Sequence, residues 1–336
     1  MKKLPELLKF NDGNLVLTTR DFELRRREII DILTKECYGS LIPTPESLYI
    51  REIGNILNFG VDLKLRGTTY DIIMPRITLR FVLLRPTEKV YEKSPVVICG
   101  DFCWHYVTAD VVEYITKNGI TLVLFDRLDL VPDAGSARDY GLYNVYPELD
   151  FGALMAWAWG YSRVIDALNL LEEELDLSKI AITGHSRGGK ASLLAGALDE
   201  RIWLTNANNS GIGGAGTFNY PDEGGERCGD ILANFPYWFS PNLQKYIGKE
   251  GEIPFDAHFL KALVSPRLLL TTEGNDDTWA SPKATKLTHE ATYAAFELFG
   301  VRENNVVSFR EGRHGHFLED FVTLTDFITA SIKAGK

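Results

Sequence analysis

The sequence predicts an α/β fold in which a mostly parallel sheet is covered by helices on both faces. Short apolar runs typical of strands recur along the chain, and from the middle onward they alternate with segments of helical periodicity. Such alternation buries both faces of a parallel sheet. The chain has 336 residues, 45% of them hydrophobic, which is enough for one large core. We expect a single domain over residues 1–336, with an N-terminal helix and a lead-in segment in residues 1–60.

The first predicted elements are this N-terminal helix and a group of strands. The segment from Asp21 to Gly39 is amphipathic, begins at an Asp that can cap a helix and ends at a Gly. After a proline-rich connection come four apolar runs with the character of strands: TYDIIM, ITLRFVLLRP, SPVVICG and ITLVLFD. We expect antiparallel strands in this first part of the sheet.

The second half of the chain alternates helices with strands. The segment FGALMAWAWGYSRVIDALNLLEEEL carries apolar residues at helical spacing over about seven turns. The later strand runs are KIAIT, IWLTNANNSG, RLLLTTEG and VVSFREG, with one helix near THEATYAAFELFG and another at the end of the chain. This order predicts parallel strands.

The most informative motif is Gly184-His185-Ser186-Arg187-Gly188, between the run KIAIT and the helical stretch ASLLAGAL. In a G-x-S-x-G turn the serine sits on a strained elbow between strand and helix, so its hydroxyl is exposed at the top of the sheet. The motif therefore predicts Ser186 as a nucleophile on an α/β-hydrolase fold. The alternative interpretation is an ordinary β–α turn capped by serine.

An α/β hydrolase needs an acid and then a histidine after later strands, in that chain order. The strand RLLLTTEG is followed by Asp276 and Asp277, and VVSFREG is followed by His314 and His316. The histidine accepts the serine proton, and the acid holds its tautomer and stabilises the imidazolium. We predict Asp277 and His314, with Asp276 and His316 as open alternatives because the sequence does not show side-chain directions.

Composition argues against several other classes. No stretch reaches the ~18 apolar residues that span a bilayer. The net charge of −10 disfavours nucleic acid as a partner. No cofactor is expected, and His314-x-His316 lacks a third ligand for a metal. Free thiols are expected at the four cysteines, which follow no metal or disulfide spacing: Cys37, Cys99, Cys103 and Cys228. The start, MKKLPELLKF, has no apolar h-region, so the chain as written predicts a cytoplasmic location; secretion would require a leader ahead of it.

Several segments together resemble the glucuronoyl esterases, carbohydrate esterase family fifteen, particularly their bacterial branch. They follow the family's order: AWAWGYSRVIDAL, GHSRGGK, NNSGIGG, FPYWFSPN, DDTWASP and REGRHGH. A serine followed by arginine, with a lysine four residues after the serine, is not the general α/β-hydrolase pattern. The resemblance implies cleavage of the ester between a glucuronic acid carboxyl, often 4-O-methylated on xylan, and a lignin alcohol. The implied partner is a glucuronoxylan or a glucuronate-ester oligosaccharide.

That chemistry gives roles to two residues near Ser186. Lys190 lies one helical turn after the serine and can face the same cleft, where similar lysines of the family bind sugar hydroxyls. The backbone N–H of Arg187 is the expected oxyanion donor, and its guanidinium could reach back as a second one. The alternatives are a solvated lysine, and an arginine stacked on the surface or paired with an acid.

Further candidates are aromatic and acidic. Trp279 and Trp238 can stack on the apolar face of a pyranose. Glu226, in the loop from 221 to 230, could bind a sugar hydroxyl, although acidic Gly-rich loops are usually solvated. Trp157 and Trp159 are two residues apart on a helix, and core packing is expected for both.

One departure from the family concerns the acid. Some members place a triad glutamate after the strand that follows the elbow, where this chain has Asn208-Asn209-Ser210-Gly211. The alternative functions are therefore an acetyl xylan, feruloyl or other carbohydrate esterase with the same triad, and a carbohydrate-binding relic with weak catalysis. A peptidase of the prolyl-oligopeptidase type usually carries a propeller domain, for which this chain has no residues to spare.

Overall fold

The computed structural model describes residues 4–56, 66–135, 138–171, 174–219 and 223–336. In these residues nine strands form one sheet in the order β1-β2-β3-β5-β4-β6-β7-β8-β9. The strands are β1 Tyr49–Ile56, β2 Gly67–Met74, β3 Ile77–Leu84, β4 Ser94–Cys99, β5 Thr121–Phe125, β6 Leu175–Thr183, β7 Leu204–Asn208, β8 Leu268–Gly274 and β9 Asn305–Arg310. The pairs β1–β2, β2–β3 and β3–β5 are antiparallel, and all pairs from β5 through β4 to β9 are parallel. The predicted mostly parallel α/β sheet is confirmed.

Helices cover both faces of this sheet. The α-helices of the described residues are α1 Thr19–Leu33, α2 Ala109–Lys117, α3 Leu142–Val145, α4 Ala153–Leu168, α5 Arg187–Leu198, α6 Cys228–Asn234, α7 Ala257–Ala262, α8 Pro282–Leu298 and α9 Leu318–Lys333. Along β4, Val96 and Ile98 face the apolar cluster that contains α4 and α5, while Val97 and Cys99 face the cluster that contains α2 and α9. Because successive side chains alternate across a strand, a wholly apolar strand can fill both clusters.

The N-terminal helix starts two residues before the predicted position. Thr18, not Asp21, is its cap: the Thr18 hydroxyl accepts from the Asp21 backbone, and the Asp21 carboxylate accepts from the Thr18 backbone. This reciprocal pair is a capping box. The chain then continues in a wider helical turn to Gly39, whose φ of +83° ends it.

Other elements also differ from the sequence prediction, and four helices of nine residues or fewer, α2, α3, α6 and α7, were not predicted. Helix α4 ends at Leu168, short of the predicted seven turns, because Asn169 closes it with side-chain and backbone hydrogen bonds to the Ile165 carbonyl. Strand β1 was not predicted, since it is a largely exposed edge strand with a mixed polar pattern. The predicted lead-in segment extends into residues 57–60, which lie outside the described residues, and the single-domain assignment stays a prediction.

The sequence predicts no membrane-spanning segment and no disulfide framework. None of the helices described is long and apolar enough to cross a membrane. All four cysteines are free thiols, three of them buried: Cys37, Cys99 and Cys228 are inside, and Cys103 is half-buried. The predicted free thiols are therefore confirmed.

Candidate active site

The predicted nucleophile elbow is present between β6 and α5. Ser186 is half-buried and has φ +54° and ψ −119°, a strained conformation for a residue with a side chain. A Cβ atom at Gly184 would lie 2.3 Å from the Gly188 carbonyl oxygen, and one at Gly188 would lie 2.0 Å from the Asp101 carboxylate. Both glycines are therefore required by close approach, as the G-x-S-x-G motif predicts.

Asp277 and His314 form the acid–histidine pair. The Nδ1 atom of His314 donates to Oδ2 of Asp277 over 2.5 Å, and the same oxygen accepts from Nδ2 of Asn209 over 2.7 Å. Asp277 is 3% exposed, whereas the His314 side chain is 40% exposed. Burial opposes the negative charge, but the hydrogen bonds from His314, Asn209 and the Ala280 backbone hold the pKa of Asp277 below its usual value. The geometry thus orients the imidazole with Nε2 free to accept a proton.

The two alternative residues are turned away from this pair. The Asp276 side chain is exposed, and its Oδ2 accepts from the Gly312 backbone over 3.1 Å. His316 is buried and stacks on Phe321 with ring centres 4.0 Å apart. Burial lowers the pKa of His316 well below its usual value. The structure therefore favours Asp277 and His314 over Asp276 and His316.

The end of β7 and the residue after it place two amide side chains beside the site, where some family members have a carboxylate. Asn208 Oδ1 lies 2.6 Å from Nδ1 of His185, the residue before the nucleophile, and the Asn208 carbonyl accepts from the Ser186 backbone over 2.9 Å. Asn209 has φ +43° and directs its amide at Asp277. From the sequence, only the missing glutamate was evident here. The support from Asn209 was missed because it is a contact between turns 68 residues apart.

No hydrogen bond joins the Ser186 hydroxyl to His314 among the described residues, although His185 brings the two segments together with its ring centre 4.5 Å from that of His314. Catalytic hydrogen bonds are often long in unliganded enzymes and shorten when substrate binds. No group of three or more His, Cys, Asp or Glu side chains in the described residues is arranged to hold a metal.

Arg187 offers its backbone N–H as an oxyanion donor. It is the first residue of α5, and the first N–H groups of a helix have no partner within the helix. Its guanidinium is ion-paired with Asp133, which the sequence analysis did not single out, and lies 4.8 Å from the ring centre of Trp238 and 5.0 Å from that of Trp104. The guanidinium is thus paired with an acid, and the backbone group is the donor that the geometry favours.

Lys190 and Glu226 are both buried, and each influences the pKa of the other. Lys190 is 4% exposed and donates from Nζ to the Ser210 carbonyl over 2.6 Å, so it is not a solvated helix lysine. Burial lowers the pKa of Lys190, and the Glu226 carboxylate opposes that shift. Glu226 is 6% exposed, and burial raises its pKa while Lys190 opposes the rise. The described part of its loop, from 223 onward, therefore carries Glu226 inward; residues 221 and 222 lie outside the described residues.

The four tryptophans of the sequence analysis divide into one open ring and three packed ones. Trp279 is 49% exposed, and its carbonyl accepts from the Glu226 backbone over 3.0 Å. The prediction of an open stacking face at Trp238 is wrong: the residue is 3% exposed, and Phe235 lies parallel to its ring at 4.0 Å. Trp157 and Trp159 are buried, and core packing is confirmed for both.

The comparisons with known proteins agree on one family. A family model described as "Glucuronyl esterase, fungi" matches residues 79–300. A 4-O-methyl-glucuronoyl methylesterase of Schizophyllum commune is 31% identical over 321 residues, covering 93% of this chain and 77% of the relative. Those of Podospora anserina and Phanerochaete chrysosporium are longer, and the chain spans 61% and 65% of their lengths at 30% and 31% identity, with 90% and 93% of this chain covered.

Solved structures give the same result. A glucuronoyl esterase from Solibacter usitatus superposes with a TM-score of 0.86 at 26% identity, with 98% of both chains covered. A serine-to-alanine variant of the Sporotrichum thermophile glucuronoyl esterase, in complex with methyl 4-O-methyl-beta-D-glucopyranuronate, superposes with a TM-score of 0.78 at 25% identity, covering 97% of this chain and 87% of that one. The branch within the family stays a prediction. On the sequence match and the shared fold, the chain belongs to the glucuronoyl esterase family.

Proposed function

We propose that this protein is a serine carboxylesterase that hydrolyses esters of glucuronic acid through an acyl-enzyme. Family membership supports this proposal, because the curated relatives bear the name 4-O-methyl-glucuronoyl methylesterase. The observation that carries it is the buried Lys190, one helical turn after Ser186, together with the buried Glu226 carboxylate that opposes the lowering of its pKa. A simple-ester hydrolase has no need of a desolvated cation and carboxylate at that position.

The first half of the reaction forms a bond between Ser186 and the substrate. His314 Nε2 takes the hydroxyl proton while the Ser186 oxygen attacks the ester carbonyl, and the negative oxygen accepts from the Arg187 backbone N–H. Asp277 holds the other imidazole nitrogen and stabilises the imidazolium. His314 then gives its proton to the departing alcohol.

The second half regenerates the enzyme. Water loses a proton to His314 and attacks the acyl carbonyl, and the Ser186 oxygen leaves with that proton, which releases glucuronate. The sugar is the acyl part, so it remains beside Lys190 and Glu226 throughout both halves. Hydrogen bonds that Lys190 donates to sugar hydroxyls, and that Glu226 accepts from them, are strong because little water competes.

The substrate class can be proposed more narrowly. A relative from Sporotrichum thermophile has been seen with methyl 4-O-methyl-beta-D-glucopyranuronate. Trp279, whose backbone carbonyl accepts from the Glu226 backbone, offers the apolar face of its exposed ring for such a pyranose. We propose 4-O-methyl-glucuronoyl esters of xylan or of its oligosaccharides, with a lignin alcohol as the leaving group.

The test compares benzyl glucuronate with 4-nitrophenyl acetate, using the wild type and Lys190→Ala. We expect the wild type to prefer the uronate ester, and the variant to lose about 10- to 100-fold of kcat/KM on it, the size of one lost charged hydrogen bond. Hydrolysis of the acetate should persist in the variant, since acetate has no hydroxyl for Lys190 to bind.

Lys286→Ala is the matched control, because Lys286 is an exposed lysine on α8. This variant should keep the wild-type preference. A wild type that cleaves only the acetate, with Lys190→Ala at the same rate, would show an esterase of another substrate class. Thermal unfolding of each variant checks that a loss of rate is not a loss of fold.

A further inference from the structure

Arg310 lies at the end of β9, where the strand gives way to the turn that carries His314. The turn itself is neither helix nor strand, so its carbonyl groups need other donors. The Arg310 guanidinium supplies them. It donates to three backbone carbonyls of the turn: Glu311 at 3.1 Å, Arg313 at 3.2 Å and Gly315 at 2.8 Å.

The guanidinium is itself held from the other side. Its Nε lies 2.9 and 3.0 Å from the two carboxylate oxygens of Asp320, in the first turn of α9. The Phe317 ring centre is 4.6 Å from the guanidinium carbon, and the Phe317 backbone N–H donates to Asp320 over 2.9 Å. The Arg310 side chain is 12% exposed. Because Asp320 binds one edge of the planar guanidinium and Phe317 covers one face, the guanidinium is held in one orientation.

The same guanidinium also reaches the acid side of the pair. One of its nitrogens is 3.5 Å from Oδ1 of Asn209, and Nδ2 of Asn209 donates to Asp277 over 2.7 Å. The Arg310 carbonyl accepts from the Asn275 backbone over 2.8 Å, at the start of the turn that leads to Asp277. One residue therefore contacts both turns from which the acid–histidine pair is built.

We propose that Arg310 is a positioning residue that holds the turn of His314 in register with Asp277. No hydrogen bond or ion pair joins it to Ser186 or to the His314 imidazole among the described residues, and it acts through the backbone of the turn. The charge has a second consequence: after burial, the Arg310 cation adds to the lowering of the pKa of His316. His316, two residues after His314, therefore stays neutral. This inference rests on the proposed serine hydrolase chemistry but not on the uronate substrate.

Arg310→Lys tests the proposal, with Arg313→Lys as the matched control on the same turn, where the Arg313 side chain is exposed. One ammonium keeps the charge but cannot satisfy three carbonyls and Asp320 at once. We expect kcat to fall about 10- to 100-fold on both benzyl glucuronate and 4-nitrophenyl acetate, the cost of misplacing a catalytic group. KM for benzyl glucuronate should stay within about twofold. Arg313→Lys should behave as the wild type.

A spectroscopic measurement distinguishes positioning from general stability. The downfield proton resonance of the His314–Asp277 hydrogen bond should weaken or vanish in Arg310→Lys and persist in Arg313→Lys. Asp320→Asn keeps the guanidinium but loosens its anchor, so a smaller loss of kcat is expected, and this variant carries the test if Arg310→Lys does not fold. Wild-type kcat and an unchanged resonance in the folded variants would overturn the proposal. The acetate assay and the resonance remain informative if benzyl glucuronate is not cleaved, so failure of the uronate function is separable.

Discussion

The groups proposed to transfer protons and the charged groups proposed to bind the sugar differ in their exposure to solvent. On the reaction side, formed by Ser186, His314 and Asp277, the serine is half-buried and the histidine is 40% exposed. On the binding side, formed by Lys190, Glu226 and Trp279, both charged groups are almost fully buried. The groups that exchange protons with the leaving alcohol and with the attacking water must be open to solvent. The groups that bind sugar hydroxyls form stronger hydrogen bonds when water is excluded. The two sides should therefore respond to different perturbations.

The largest effect should come from the nucleophile. Ser186→Ala removes the covalent intermediate, so turnover of both esters should fall by roughly 10³ or more, leaving what the oxyanion donor and binding alone provide. Assays with benzyl glucuronate and 4-nitrophenyl acetate measure it. Labelling of the wild type by a fluorophosphonate, absent in the variant, would separate an enzyme from a binding relic. Unchanged activity in the variant would contradict the assignment of Ser186.

The acid comes next. Asp277→Asn should lower kcat on both esters by about 10² to 10⁴, because an amide no longer selects the imidazole tautomer with Nε2 free. Asp276→Asn is the matched control one residue away, and its exposed amide can still accept from Gly312. It should stay within about threefold of wild type. Equal losses in the two variants would show that the turn, not Asp277, is what matters.

The buried histidines extend the comparison to stability. Burial lowers the pKa of His185 to about 3 and that of His258 to about 4, against 6.5 when unfolded. Below pH 6.5 the unfolded chain binds protons at these two positions that the folded chain does not, so the contribution of His185 and His258 to stability is complete above pH 6.5 and is lost as the pH falls toward 4. Each histidine contributes about 1.4 kcal/mol per pH unit. Urea unfolding at pH 7, 6 and 5 measures the slope, and His258→Gln should reduce it by one proton. An unchanged slope in His258→Gln would contradict the burial of His258.

The smallest effect should be that of the open ring. Trp279→Ala removes a stacking face, so KM for benzyl glucuronate should rise about 3- to 10-fold while kcat changes little. The acetate should be hydrolysed at the wild-type rate. Trp279→Phe keeps a smaller aromatic face, so its KM should lie between those of the wild type and Trp279→Ala. A loss of kcat on acetate would instead place Trp279 on the reaction side.

Local patterns were sufficient for strands β2 to β9, for the five longest helices and for the elbow. Strand runs have a period of two and helices one of 3.6, and both are properties of neighbouring residues. The Ser186 elbow was predictable because its glycines are needed by contacts within a few residues, such as Gly184 against Gly188. Strand β1 escaped prediction because an edge strand has little burial to impose a pattern.

Side-chain directions after irregular turns were not predictable in the same way. Asp276 and Asp277 are equivalent in the sequence, but the packing of two turns gives them different partners. Asp276 accepts from the Gly312 backbone, and Asp277 accepts from His314. Trp238 was predicted as a stacking face, yet Phe235 covers it. Asp133 and Asn209 carry no local signal, since their partners lie 54 and 68 residues away.

The amino-acid sequence alone predicts the fold class, Ser186 as the nucleophile, the order of the acid and histidine, and the lysine one helical turn after the serine. These features depend on periodicity and short spacing, which local chemistry fixes. Contacts between distant segments establish which acid meets which histidine, that Lys190 and Glu226 are both buried, and that Arg310 contacts both turns. The physical reason is that burial and hydrogen-bond partners in these turns come from segments distant in the chain, which meet only when the sheet has formed.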